Sequence, residues 1–321
     1  MTRALLLVVL LLLGAGGAGF ALSRPCGWAG WVAGGGGCLA AFALRDLVVT
    51  GDTLATDAQG RLVVGGIDYR PGRRDRMQAQ MVVATLDPAT GAEIARADLG
   101  MQGRPEQLRL SPDGTAMAIS CNALYTCDLP GGSQPRETRV MLFDRDGERR
   151  WFAGIEHRHA PPDADGRAFD LGFLPSGNVV FAHVAFDAAS GQVILTRQQP
   201  LPDPNARLPA GAEIRPGDTA LALDLPDDFI PFLRLDSARS PDGDRIAILA
   251  RRFSGPGKLR AAIRIHDIAS GRLLAAHDID RELAPAILWH PQRDAVIVAL
   301  AGAPAAGADS ELRLYAAGAG E

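Results

Sequence analysis

After its first 45 residues, the chain alternates short apolar segments with turns rich in Asp, Gly, Pro and Ser. One kind of turn comes directly before an apolar segment, as Ser-Pro-Asp-Gly at 111–114 does before 116–120. Proline fixes φ and the Asp-Gly pair tolerates positive φ, so this pattern predicts a chain reversal between two strands. Related turns occur at 56–60, 111–114, 174–177, 240–243 and 290–294. Their recurrence indicates a repeated structural unit.

A second kind of turn, with Asp first and Gly last, follows the apolar segments. It occurs at 87–91, 144–147, 187–191 and 267–271. Asp, Ser and Thr side chains cap such turns and Gly supplies the left-handed residue, which is typical of β-hairpins. Segment 262–266 alternates apolar and polar residues, and no long helical period follows the first 45 residues. The patterns predict an all-β protein.

These turn motifs resemble those of TolB-like, WD40-like and YVTN-type bacterial β-propellers, and the resemblance extends roughly from Leu47 to Tyr315. It implies a β-propeller of four-stranded antiparallel blades. About twenty candidate strands favour five blades, with six or seven open if the long segments contain further strands. The motifs specify a fold and leave the activity open. The chain departs from true WD40 repeats because it lacks their Gly-His and Trp-Asp dipeptides.

The two ends of the repeat region complement each other. The last repeat ends at 312–315, one strand short, whereas segment 46–50 is an additional strand before the first repeat. We expect this N-terminal strand to complete the last blade and close the ring, because an unpaired blade would expose a sheet edge. The predicted organisation is one propeller domain at 46–321 after a Gly-rich extension at 22–45.

The N-terminus predicts export. Arg3 precedes the apolar run 4–13 and the small residues 14–19, the pattern of a signal peptide at 1–21. The protein is then periplasmic or secreted. The alternative is an uncleaved anchor at 4–22 that holds the chain in the inner membrane, since this stretch nearly spans a bilayer.

The four cysteines form two close pairs, and an oxidising compartment favours disulfides within each pair. The predicted bonds are Cys26–Cys38 and Cys121–Cys127, with four unpaired buried thiols as the alternative. The net charge of −4 argues against nucleic acid as a partner. The chain contains no G-x-S-x-G, H-E-x-x-H, P-loop or EF-hand motif. We therefore predict no cofactor, no metal site and no catalytic residue.

Up-and-down blades place the tight turns at one end of the propeller and the longer connections at the other. The longer connections are 68–80, 121–137, 154–167 and 252–257. One exception is the Pro-rich segment 200–217, which is predicted as an insertion between the last two strands of a blade at the tight-turn end. Binding residues favour long loops on a rigid scaffold. The end with long connections is the candidate binding surface.

Two of these connections carry candidate binding residues. Four arginines form a basic loop that suits an acidic partner or a lipid headgroup, with an ordinary solvated loop as the alternative: Arg70, Arg73, Arg74 and Arg76. His157 and His159 lie near Asp163 and Asp165 and offer donor atoms of the kind that bind metals. Two histidines without a defined third ligand are too few to predict a metal site.

The leading functional hypothesis is an exported, non-catalytic binding or scaffold propeller whose loop-rich face holds a protein or envelope ligand. One alternative is a propeller enzyme, a lactonase-like hydrolase or an oxidoreductase, with its site on the central channel. Another is a membrane-tethered partner of a secretion or envelope machine. Membrane contact is expected only through an uncleaved N-terminal segment.

Overall fold

The computed structural model of the protein describes Cys26 and ten longer ranges, and every regular element in them is a strand. These ranges are 37–68, 80–122, 127–128, 137–156, 171–181, 184–196, 229–253, 259–279, 285–302 and 309–318. Within them, no helix is long and apolar enough to cross a bilayer. The described part of the chain is all-β, as the turn pattern predicts.

Five antiparallel sheets follow one another along the chain. The first contains β2 (Leu47–Val48), β3 (Leu54–Thr56), β4 (Leu62–Asp68), β5 (Gln80–Leu86), β6 (Glu93–Gly103) and β9 (Cys127–Asp128). The second contains β7 (Gln107–Leu110), β8 (Ala116–Asn122), β10 (Glu137–Asp144) and β11 (Arg149–Glu156). The third contains β12 (Leu171–Phe173), β13 (Val179–Phe181), β14 (Val184–Phe186) and β15 (Val193–Thr196). The fourth contains β16 (Phe229–Arg239), β17 (Arg245–Phe253), β18 (Leu259–Asp267) and β19 (Leu273–Asp278). The fifth contains β20 (Ala286–Trp289), β21 (Ala295–Leu300), β22 (Ser310–Ala316) and β1 (Cys38–Leu44).

The first strands of neighbouring sheets lie beside one another at four junctions. Contacts join β3 to β7, β7 to β12, β16 to β20, and β20 to β3. Four strands of each of the first four sheets pair as an up-and-down meander in chain order, as do β20, β21 and β22 of the fifth, whereas β2, β9 and β1 join their sheets out of chain order. Successive four-stranded meanders whose first strands are in contact are blades. The fold is a β-propeller.

Apolar clusters fill the spaces between the first and second, second and third, fourth and fifth, and fifth and first sheets. Strand β10 shows how one segment serves two of them. Val140 and Leu142 pack towards the third sheet, whereas Met141 and Phe143 pack towards the first. Successive side chains of a strand point to opposite faces, so a blade buried on both faces needs a continuous apolar run. Each fully buried side chain of this size contributes about 1.5–3 kcal/mol to folding.

An N-terminal strand joins the last sheet, but it lies earlier in the chain than segment 46–50. Strand β1 pairs antiparallel with β22, from Cys38 opposite Tyr315 to Leu44 opposite Ser310. Leu47–Val48 pairs instead with β4 of the first sheet. Asp46, with a φ of 56°, reverses the chain between these two strands. Segment 38–44 thus belongs to the last sheet, although composition alone places it in a Gly-rich extension.

The turns use the predicted chemistry. In the β18–β19 turn, Asp267 Oδ1 accepts hydrogen bonds from the backbone N–H and the hydroxyl of Ser270. These bonds favour the ionised carboxyl and lower the pKa of Asp267. In the β5–β6 turn, Gly91 has a φ of +70°, and a Cβ there would lie 2.2 Å from Cγ of Phe42 on β1. Only glycine fits this position.

The Pro-rich segment 200–217 falls between two sheets. It belongs to the connection from β15, the last strand of the third sheet, to β16, the first strand of the fourth. Connections between blades lie at the end opposite the tight turns. Segment 200–217 itself lies outside the described residues, but it follows β15, the fourth strand of its sheet, so it does not join the last two strands of a blade as expected.

Candidate functional site

The topology gives the propeller two unequal ends. At one of them, here called the turn end, each of the nine connections between described strands contains four to six residues. The opposite end, here called the loop end, carries the longest connections. They contain 11 residues between β4 and β5, 14 between β8 and β10, 14 between β11 and β12, and 32 between β15 and β16.

At the turn end, Asp57 holds the first two sheets together. Its Oδ2 lies 2.8 Å from Nε of Arg61 and 3.1 Å from Nη2 of Arg145, in the β10–β11 turn of the second sheet. Its Oδ1 accepts hydrogen bonds from the backbone N–H groups of Gln59 and Arg61. The carboxylate is almost completely buried, and such a charge is stable only when it is paired and hydrogen-bonded. Asp57 therefore acts as a structural link.

Other side chains at the turn end also join neighbouring sheets. Trp151 Nε1 donates a 2.9 Å hydrogen bond from the second sheet to Ala188 O in the third. Arg245 of the fourth sheet lies 2.7 Å from the carboxylate of Asp294 in the fifth and packs over the Trp289 ring at 4.9 Å. Several side chains at the turn end are thus engaged in contacts between neighbouring sheets.

At the loop end, a polar cluster joins the inner edges of the first and second sheets. Asp52 lies just before β3, and its Oδ2 is 2.6 Å from Nη2 of Arg109 on β7. Arg109 Nη1 also donates to the backbone oxygens of Leu108 and Asp52. Gln107 forms a parallel bridge with Asp52 and lies within 3.4 Å of the Ser120 hydroxyl. We call Asp52, Gln107 and Arg109, with the neighbouring Glu106, the inner-edge cluster.

Glu106 is the ionisable group of this cluster that has a perturbed pKa at a surface position. The residue is exposed, yet the surrounding chain desolvates its carboxyl and raises the pKa of Glu106, and nearby Arg104 opposes the rise. The inward backbone is tightly packed here, since a Cβ at Gly51 would lie 2.2 Å from Glu106 O. Glu106 therefore combines an exposed position at the loop end with a carboxyl that is protonated more readily than usual.

No family model matches the chain, and no curated protein matches it. Among solved structures, this chain is similar to Kuenenia stuttgartiensis hydrazine synthase, with 12% sequence identity and a TM-score of 0.30. The match covers 79% of this chain and 56% of that one. The chain thus spans little more than half of that chain's length. It is also similar to the Myceliophteria thermophila Cps50 (Swd1) β-propeller domain at 9% identity and a TM-score of 0.41, covering 87% of this chain and 99% of that one. Neither similarity bears on activity.

The binding residues predicted from sequence lie outside the described residues. Arg70, Arg73, Arg74 and Arg76 fall in the β4–β5 connection, and His157 and His159 fall in the β11–β12 connection. Both connections belong to the loop end. Their role as ligand contacts stays a prediction. Among the described residues, no group of three or more His, Cys, Asp and Glu side chains is arranged to hold a metal ion.

One of the two predicted disulfides is directly described. Cys26 is bonded to Cys38, the first residue of β1, with 6.2 Å between their Cα atoms. Cys121 on β8 is also disulfide-bonded. The side chain of its predicted partner, Cys127, is not among those that the structure describes. Strand β9, which carries Cys127, crosses to the first sheet and pairs with Gln102–Gly103.

The inner-edge cluster has no clear signal in the sequence. Arg109 lies between Leu108 and Leu110. The alternation of apolar and polar residues in β7 therefore predicts that Leu108 and Leu110 face the core and that Arg109 faces solvent. In the folded protein Arg109 is 5% exposed, because Asp52, which lies 57 residues earlier, covers it. Asp52 follows the Thr-Gly pair at 50–51, which reads as a simple turn. The proximity of Asp52 and Arg109 can be predicted only when it is known which sheets are neighbours.

Proposed function

We propose that this protein is an exported, non-catalytic binding or scaffold module that presents its loop end to a protein or envelope ligand. The observation that carries the proposal is the division of labour between the two ends. The turn end is closed by short turns and by contacts between sheets, whereas the long connections leave from the loop end. Long loops on a rigid scaffold are where binding residues concentrate.

The character of the first strands of four sheets supports a non-catalytic role. Propeller enzymes assemble a site from ionisable side chains of several first strands, which converge on the axis. Of the five first strands, β3, β12 and β20 carry no ionisable residue and β7 carries Arg109, whereas β16 of the fourth sheet carries Arg234, Asp236 and Arg239. The Arg109 guanidinium is neutralised by Asp52 and buried, which suits a structural ion pair better than a reactive group.

Crosslinking in intact cells that carry the full chain tests the partner. A loop-end variant, Arg73, Arg74 and Arg76 each changed to Ser, is compared with a turn-end variant in which Arg150, Arg272 and Arg293 are changed to Ser. Both remove three cations, so they match in charge. We expect the loop-end variant to lose its crosslinked partner by about tenfold, as removal of 1.4 kcal/mol of binding would. Equal loss in both variants would contradict the assignment of the loop end.

Export is tested separately by fractionation and N-terminal sequencing. We expect a soluble envelope or secreted species that begins after Ala18 or Ala21. Recovery of the intact 4–22 segment in the inner membrane would favour the anchored alternative. A cytoplasmic protein with reduced cysteines would contradict export.

A further inference from the structure

The fifth sheet is made from both ends of the described chain, and its attachment depends on two neighbours. Strands β20, β21 and β22 come from the C-terminal part, and β1 comes from the N-terminal part. Apolar clusters cover both of its faces, one shared with the fourth sheet and one with the first. A buried histidine also stands at each of these two joints.

His277 forms the joint with the fourth sheet. It lies on β19 and is 8% exposed, and its Nε2 is 2.8 Å from Ala316 O at the end of β22. Its ring packs against Tyr315, with 5.3 Å between centroids. Gly37 lies against the other edge of the ring, and the Gly37 carbonyl accepts a hydrogen bond from the Ala316 N–H. The imidazole therefore touches β22 and the residue before β1 at once.

His290 forms the joint with the first sheet. It lies in the β20–β21 turn and is 1% exposed. Its Nδ1 accepts a 3.0 Å hydrogen bond from the Gln292 N–H, and its Nε2 lies 3.1 Å from Pro88 O in the β5–β6 turn. A nitrogen that accepts an N–H cannot carry a proton, so this geometry requires the neutral ring with the proton on Nε2. Protonation would break the bond from Gln292.

The charges around these rings do not favour imidazolium. His277 faces Arg264 on β18, the phenol of Tyr315 on β22, and the neighbouring Asp278, whose side chain is 49% exposed. Burial is the main cause that lowers the pKa of His277, Arg264 adds to it, and the Ala316 carbonyl and Asp278 oppose it.

For His290, as for His277, the causes that lower the pKa outweigh those that raise it. Burial is the main cause that lowers the pKa of His290. The Pro88 carbonyl opposes this effect, and Arg293, in the same turn as His290, adds to the lowering. From the first sheet, Pro88 reaches the ring, and Gly60 approaches the adjacent Gln292 and Pro291. No carboxylate contacts either ring among the described hydrogen bonds.

We propose that the fifth sheet is an acid-releasable closure, in which protonation of His277 and His290 loosens both joints and frees β1 and β22 before the other sheets open. The His290 joint needs a neutral imidazole, because Nδ1 accepts the Gln292 N–H. The His277 ring is buried between Tyr315, Gly37 and Ala316, and burial together with Arg264 disfavours its charged form there. The two joints act on the same sheet, so acid weakens both of its attachments together.

The direction with pH follows from proton counting. Both histidines have a folded pKa below the usual value of 6.5. Between the folded pKa and 6.5, the unfolded or released state binds more protons than the closed state, so the closed state loses stability as pH falls. Above 6.5 the contribution of the neutral rings is fully present, and it declines as the solution becomes more acidic.

Hydrogen exchange of the full chain at pH 7.5 and pH 5.0, corrected for intrinsic exchange rates, tests this closure. We expect the amides of β1, β22 and Ala317 to lose protection by about tenfold. The amides of β8 and β10 in the second sheet should keep theirs. Equal loss in all five sheets, or no loss in β1 and β22, would overturn the proposal.

Two variants separate titration from simple weakening. In the His277→Gln, His290→Gln variant, neutral amides replace both rings, and the protection of β22 should change by less than about twofold between the two pH values. Trp151→Phe is the matched control, because it removes an N–H to carbonyl bond between two other sheets without a titrating group. It should retain the wild-type pH response of β22. A pH response in the double variant equal to that of the wild type would refute the role of the histidines. If the double variant does not fold, the exchange pattern of the wild type at the two pH values tests whether β1 and β22 open before the other sheets.

Discussion

A methyl group at Gly37 is expected to open the junction between the fourth and fifth sheets. The added Cβ would lie 2.0 Å from Cε1 and 2.1 Å from Nδ1 of His277. Carbon atoms pack at about 3.5–4.0 Å, so the ring would have to retreat by about 1.5 Å. That movement breaks its 2.8 Å hydrogen bond with Ala316 O, which is worth about 1 kcal/mol. Overpacking adds about 1–3 kcal/mol, so Gly37→Ala should lower the free energy of unfolding by about 2–4 kcal/mol.

Urea unfolding followed by circular dichroism measures this loss as a lower midpoint at an unchanged slope. The control is Gly318→Ala, because the atom nearest to a Cβ there is Oδ2 of Asp294 at 3.9 Å, an ordinary contact. Neither glycine has a φ in the left-handed region, so the two substitutions differ in the space available. A loss at Gly37 that is no larger than the loss at Gly318 would show that the close approach to His277 does not hold the junction.

Three further predictions concern the turn end. Asp57→Ala should destabilise the protein by about 2–3 kcal/mol in urea unfolding, because it removes the buried acceptor of two backbone N–H groups and of two partly exposed arginines. Arg145→Met should cost under about 1 kcal/mol, because Arg61 still neutralises that carboxylate. Equal losses would contradict the linking role. Ser270→Ala should raise the pKa of Asp267 towards its usual value in an NMR titration, since the hydrogen bond from the Ser270 hydroxyl is the largest cause of the lowered pKa. An unchanged pKa of Asp267 would show that the backbone N–H donor suffices. Trp151→Phe should lower the free energy of unfolding by about 1 kcal/mol through the lost indole N–H bond, and no change would show that water replaces it.

The sequence predicts the features of this fold that depend on neighbouring residues. A turn such as 267–271 is defined within five residues, since Asp267 caps it, Ser270 donates to Asp267, and Gly271 takes a φ of +70°. Such turns mark the ends of strands, and their recurrence indicates blades. The strand β1 escapes this reasoning because its Cys-Leu-Ala-Ala-Phe-Ala-Leu sequence does not alternate apolar and polar residues, although the burial of its residues varies from exposed to buried. Its role becomes visible only beside β22.

The candidate site is less predictable for the same physical reason. Asp52 and Arg109 are polar residues in ordinary local contexts, and burial follows from the approach of two inner strands 57 residues apart. His277 and Ala316, 39 residues apart, are brought together by the packing of the last two sheets. Single-sequence patterns carry no information on such distant pairs, whereas they do place the long connections at one end of the molecule.

The pairing of β1 with β22 also sets the order in which the molecule can be completed. The backbone N–H of Val49 bonds the Ser310 hydroxyl across 261 residues of chain, one of the longest sequence separations that a protein of this size permits. During synthesis, Cys38–Leu44 emerges before β22 and can pair with it only after the strands of the other four sheets have followed. Contacts this distant in sequence slow folding because loop closure must precede them. A chaperone that shields this short apolar strand would therefore act on the earliest part of the propeller to appear, and on the last to find its place.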